Sequence, residues 1–138
     1  MPAEIFTHAH RVTYADCTVG NHVYYGRYPD LLEAARGEFF RHLGTSFLEY
    51  QEEGIFFPVS EVHLKYFAFA EYDDELSIEC RMTAIRGARL GFGYRITKEE
   101  GVRIIEGKTL HGCTNAAGRA SRLPAALADK LRPYLDEN

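Results

Sequence analysis

From Pro29 to Leu43 the apolar residues Leu31, Leu32, Ala35, Phe39 and Leu43 fall on one face of a helix, while Asp30, Glu33, Arg36 and Arg41 take the other faces. Pro29 suits a first turn, and Gly44 after Leu43 suits a stop. This is the one long helix of the first half, and it has room to start a turn earlier, near Tyr24 or Tyr25. Its apolar stripe needs a cover, and what the rest of the chain offers is strand.

Residues 5 to 15 carry the β-branched and aromatic residues of a first strand, which the small and polar run DCTVGNH interrupts. After a partly helical connection, SFLEYQEEG, residues 56 to 70 read as a long strand. Turn chemistry then recurs at 71 to 75, 86 to 89, 98 to 101 and 115 to 120, and the runs between form an antiparallel meander. Gly91 and Gly93 inside a strand predict a bulge or a close backbone approach, and Gly107 and Gly112 the same. PAALADKLRPYL predicts a short C-terminal helix begun by Pro124. The fold class is therefore α+β: an antiparallel sheet wrapped around one long helix, with residues 1–138 forming a single domain. One such layer leaves an edge or a face bare, so we expect a symmetric dimer at minimum.

With 46% hydrophobic and 26% charged residues the composition is that of an ordinary globular domain. No stretch is apolar for the roughly 20 residues a membrane span needs, and the N-terminus lacks a signal-peptide pattern. Three scattered cysteines fit a reducing compartment, so a cytoplasmic protein is expected. The net charge of −4 argues against nucleic acid as a partner. Residues 81 to 122, however, hold nine bases and three acids. Either an anionic group docks there, or these are the solvent-facing positions of alternating strands.

The segment from Tyr14 to Tyr28 sets a carboxylate, Asp16, between a strand end and the start of the helix. A helix N-terminus presents unpaired N–H groups that can hold the oxyanion formed when a carbonyl is attacked. Asp16 beside it can attack or serve as base. The competing reading is an Asx-turn or a capping residue.

The run V-T-Y-A-D-C-T-V-G-N-H-V-Y-Y-G-R-Y-P-D-L-L-E-A-A-R, Val12 to Arg36, resembles the signature of the 4-hydroxybenzoyl-CoA thioesterase family of hot-dog proteins, as do Y-D-D-E-L-S-I-E at 72 to 79 and R-G-A-R at 86 to 89. The resemblance covers about residues 10 to 115. It implies a hot-dog fold of five antiparallel strands around one helix, homodimers or homotetramers, and hydrolysis of acyl-CoA with no cofactor beyond the coenzyme A of the substrate. By that resemblance Asp16 is the catalytic carboxylate, the Tyr24 to Tyr25 step supplies the carbonyl-binding amide, and Arg86 and Arg89 meet the CoA phosphates. Two positions depart from the family pattern: Thr18 stands where many relatives have a second acid, and Tyr25 where many have a histidine. His22, matching the histidine of a G-H-V-N-N loop, is then the candidate for orienting water or substrate. Tyr14 and Tyr28 are candidate walls of the acyl pocket. Cys17 is set aside, Glu33 reads as a helix-surface carboxylate, and the histidines show no metal-ligand spacing.

The leading expectation is an acyl-CoA thioesterase. A hydroxyacyl dehydratase on the same fold is disfavoured because no H-F-P-x-x-P-G stretch occurs. The alternatives kept are a non-catalytic module that binds acyl-CoA or acyl-carrier protein, and a thioesterase acting on acyl-carrier protein. The sequence leaves the acyl group open.

Overall fold

The computed structural model describes residues 2–136. Five strands, β1 (Phe6–Arg11), β2 (Val59–Tyr66), β3 (Glu75–Arg86), β4 (Arg89–Lys98) and β5 (Val102–Gly112), form one antiparallel sheet in the order β1-β3-β4-β5-β2. Helix α1 (Tyr28–His42) lies on its inner face, as the helical stripe demands. Leu76, Ile78, Cys80 and Met82 of β3 and Leu90, Phe92, Tyr94 and Ile96 of β4 meet Leu32, Ala35, Phe39 and Phe40 of α1 in the core. A short helix, α2 (Phe47–Glu52), is capped by Ser46, and α3 (Ala125–Leu131) follows Pro124 as expected. Tyr134 closes the end of the core, its ring edge-on to Phe39 at 4.8 Å.

Two strands differ from expectation, each because a hydrogen-bonding partner changes, whereas the helix starts where the sequence allowed. Val12 still donates to the Asp74 carbonyl at 2.9 Å, but the Thr13 amide turns to the Asp16 carboxylate, so the first strand ends at Arg11 rather than at residue 15. Tyr14–Asp16 is a 3₁₀ turn. The strand expected over 56 to 70 shrinks to Val59–Tyr66: Phe56 pairs with Thr114 in an isolated bridge, and Ala70 accepts instead from Val23. Helical backbone begins a turn before α1, at a 3₁₀ turn over Tyr25–Arg27.

The glycines divide. Gly91 and Gly93 lie beneath Thr83, where β3 bulges between Met82 and Ala84. Gly107 lies against the His63 carbonyl and Leu64, leaving no room for a side chain. A Cβ at Gly112 would meet no described residue within 4 Å, so the close approach expected there does not occur. Gly107→Ala is expected to cost about 2 kcal/mol, the range of overpacked cores, read as a lower urea midpoint with unchanged slope.

A polar chain crosses the core. His111 Nδ1 lies 3.1 Å from the Phe57 carbonyl, which can only accept, so Nδ1 carries the proton and Nε2 is the acceptor. Thr109 must then donate to Nε2 at 2.8 Å, Tyr94 to Thr109 at 2.6 Å, and Arg36 to Tyr94 at 3.0 Å. Every donor points the same way. Burial holds the His111 imidazole down to about 4, with the Phe57 bond opposing and the Arg36 charge assisting.

Candidate active site

Cys17 and Val23 form an isolated bridge across a tight turn in which Gly20 (φ 94°) and Asn21 (φ 62°) both take left-handed backbone. The turn folds the strand end back on the helix start, so that the Tyr24 amide donates to the Asp16 carbonyl at 3.0 Å. The sequence feature that brings carboxylate and helix N-terminus together is thus the G-N pair. With Tyr24 committed, the uncommitted first-turn amides are those of Tyr25 and Gly26, which have no preceding turn of carbonyls to meet.

Beside them opens a cavity of 320 Å³ between the helix start and the end of β2. His22, Tyr24, Tyr25, Tyr28, Tyr66 and Phe69 supply most of its walls. His22 lies against the Phe69 ring, centroids 4.4 Å apart, and Tyr66 donates its hydroxyl to the Tyr25 carbonyl at 3.1 Å. Tyr28 is otherwise a core residue, its phenol pushed up to about 12 chiefly by burial.

Asp16 does not line this cavity. Its side chain, in a residue only 1% exposed, is enclosed by three hydrogen-bond donors. Oδ2 accepts from His10 Nε2 at 2.7 Å and from the Thr13 amide at 2.9 Å, and Oδ1 accepts from Arg27 Nε at 2.8 Å. Burial alone would raise the carboxyl, but the Thr13, His10 and Arg27 bonds outweigh it and bring it to about 2. Asp16 therefore caps the 3₁₀ turn, as the structural alternative foresaw, and is ionised throughout the neutral range. Arg27 is shared: its NH1 reaches Asp30 at 3.1 Å. Arg27→Gln is expected to raise the Asp16 pKa, because a lowering bond and charge are lost, and to move the acid limb of any pH–rate profile governed by Asp16 upward.

The other candidates are dispersed. Tyr14 is 73% exposed and stacks on Tyr72 at 4.0 Å, outside the cavity walls. Arg86 and Arg89 face each other across the β3–β4 turn at the far end of the sheet, in a groove of 980 Å³. From Arg89 to Ile96 is seven residues, about 23 Å of strand. Cys17 donates to the Thr13 carbonyl at 3.4 Å, and burial together with the Asp16 charge pushes its thiol up. His10 and Arg27 were not found by sequence reasoning. The parity of β1 could have marked His10, since Phe6, His8 and His10 share its half-buried face. Among the described residues no cluster of His, Cys, Asp or Glu is placed to hold a metal, and no helix is long and apolar enough to cross a membrane.

The model of the thioesterase-like superfamily matches residues 12–131. The chain belongs to that superfamily. Within it, the acyl-CoA thioester hydrolase YbgC of Escherichia coli O157:H7 is 33% identical over 133 residues, 96% of this chain and 99% of YbgC. A hypothetical protein of Thermus thermophilus superposes with a TM-score of 0.86 at 30% identity, covering 93% of this chain and 98% of that one. A 1,4-dihydroxy-2-naphthoyl-CoA thioesterase of Synechocystis superposes at 0.87 with 20% identity over 94% and 96% of the two chains, a likeness of fold. Membership of the thioesterase-like superfamily accounts for the hot-dog architecture of one helix held in a five-stranded sheet.

Proposed function

We propose that the protein hydrolyses an acyl-CoA thioester, binding the thioester carbonyl on the Tyr25 and Gly26 amides and using Asp16 as nucleophile or general base. The observation that carries this reading is the aromatic-walled cavity opening beside uncommitted first-turn amides, in a chain of the thioesterase-like superfamily. Those amides stabilise the charge that develops on the carbonyl oxygen, an effect worth roughly 2.7 to 4 kcal/mol per donor. The departing thiolate is stable and needs little acid assistance.

For Asp16 to act, Oδ1 must come free of Arg27. The Arg27 side chain is 38% exposed and already touches Asp30, so Asp30 can take the guanidinium over. A carboxylate held near 2 is a weak base. The burden of catalysis then falls on the oxyanion amides and on the leaving group. His22, on the cavity wall, is the group that can orient water, with Tyr25 as the second polar side chain at the carbonyl.

We read the working unit as two chains joined along β2. Among the described residues this edge strand has no neighbour on its outer side, and Val59, Val62 and Tyr66 are exposed along it. A two-fold axis through β2 would set the Val59 end of one chain beside Tyr66 of the other. The second chain's Arg86–Arg89 turn lies at that Val59 end, because His111 pairs with Val59 and Gly112 with Arg89. The CoA phosphates would thus meet arginines of the opposite chain. Arg86→Gln with Arg89→Gln is expected to raise KM about tenfold with kcat little changed, the signature of uniform binding. Sedimentation velocity tests the dimer.

Release of free CoA thiol from acetyl-, hexanoyl-, decanoyl- and benzoyl-CoA tests the activity itself. Turnover of one class supports the reading. A protein that binds acyl-CoA and releases no thiol is a binding module instead.

A further inference from the structure

The bases of residues 81 to 122 are only partly used by the Arg86–Arg89 turn. The sheet gathers others on its outer face, opposite the helix. Arg81 stands across from Gly93, Gly93 from Lys108, and Lys108 from His63, so one transverse row reads base, glycine, base, histidine. The next row, Glu79, Arg95, Glu106 and Lys65, alternates in sign and largely compensates itself.

Gly93 gives the first row its shape. A Cβ there would sit 3.4 Å from both Cγ and Nε of Arg81. The missing side chain therefore lets Arg81 lie across β4, where it and Thr83, 3.0 Å from the same position, cover the Gly93 backbone. Over this row the surface sinks into a hollow of 630 Å³ whose ionisable lining is His63, Lys65, Arg81, Lys108 and a single acid, Glu106. That acid is already engaged, by Arg103 at 2.8 Å. His63 pairs with Glu61 at 3.0 Å, and Arg81 Nε stands 3.6 Å from Asp136. Lys65 and Lys108 make no ion pair among the described residues.

We propose that this hollow is a binding site for a diphosphate group, held between Lys108 and the Arg81 side chain that lies across Gly93. The two flanking strands lie about 10 Å apart, a span that long, flexible cationic side chains close around two linked phosphates. The volume falls within the roughly 300 to 1,000 Å³ of small-molecule sites. The site is on the opposite face of the sheet from the cavity at the helix start, and it does not depend on the hydrolytic reading.

Titration calorimetry with inorganic pyrophosphate at low ionic strength tests it. Wild type is expected to bind, and Arg81→Gln and Lys108→Gln each to weaken binding at least fivefold. Lys108→Arg should retain it, and Arg119→Gln, which removes the same charge outside the hollow, should leave it unchanged. No binding by wild type overturns the proposal, as does equal weakening by Arg119→Gln, which would make the effect one of net charge. ADP and coenzyme A as further ligands separate the sources of the diphosphate: equal affinity for ADP and pyrophosphate points to free nucleotides, and tighter binding of coenzyme A, lost in the same variants, to the coenzyme. Circular dichroism confirms that each variant is folded. Thiol release plays no part in the readout, so loss of this site and loss of the hydrolytic activity remain distinct results.

Discussion

Acidification from pH 7 to pH 4 is expected to remove about 3 kcal/mol of folding stability through His111 alone. In the unfolded chain this imidazole titrates near 6.5, whereas in the core it is held to about 4. Between those values the unfolded chain binds a proton that the native protein refuses, so stability falls as pH falls. The contribution is complete above 6.5 and lost by 4, and about 2.5 pH units at 1.36 kcal/mol each give the total. The cause is structural: the Nδ1 proton is bound to the Phe57 carbonyl, and Nε2 must stay bare to accept from Thr109. Protonating Nε2 would force the Thr109 hydroxyl to accept from it and donate to Tyr94, leaving the Tyr94 proton without its acceptor. Urea denaturation at pH 7 and pH 4.5 should show the loss, and His111→Gln should flatten it. Asp16 adds a second acid-labile contribution of about 2 kcal/mol. Its folded pKa of about 2 lies below the 3.8 of an ordinary aspartate, so this part is present above 3.8 and lost between 3.8 and 2. Tyr94→Phe, which strips Arg36 of its acceptor and Thr109 of a donor, is expected to cost about 2 kcal/mol at neutral pH.

Asp16→Asn is expected to lower kcat for thioester hydrolysis by roughly 10²-fold or more while changing KM little, because Asp16 lies outside the cavity walls. The amide keeps an oxygen for Arg27 or for the Thr13 amide, so the turn should remain folded, and near-UV circular dichroism checks that it does. In a single turnover in ¹⁸O-labelled water, label found in Asp16 identifies it as the nucleophile, because a mixed anhydride opened at the Asp16 carbonyl leaves the label there and a general base never does. Retention of wild-type kcat in the variant would reduce Asp16 to the cap of its 3₁₀ turn.

Much of this architecture was legible in the sequence. The Leu31 to Leu43 stripe specified α1, and the turns at 86 to 89 and 98 to 101 specified the β3–β4–β5 meander, because these are local patterns of period and turn chemistry. Strand ends were not legible where a side chain captures the backbone: the Asp16 carboxylate takes the Thr13 amide and stops β1, a contact that strand propensity does not register. Proximity of Asp16 to the helix start was readable through the Gly20–Asn21 turn, yet the direction of its carboxylate was not. That direction is set by His10 and Arg27, six and eleven residues away on different elements. The Arg36 to His111 chain was equally hidden, since it joins α1, β4 and β5.

Isotope-edited infrared spectroscopy of ¹³C-carbonyl acyl-CoA bound to Asp16→Asn tests whether the thioester is held at the Tyr25 end of the helix. The thioester carbonyl stretch is expected at lower frequency than in water, because first-turn amides polarise the bond. An unshifted band from a fully bound substrate would contradict that placement.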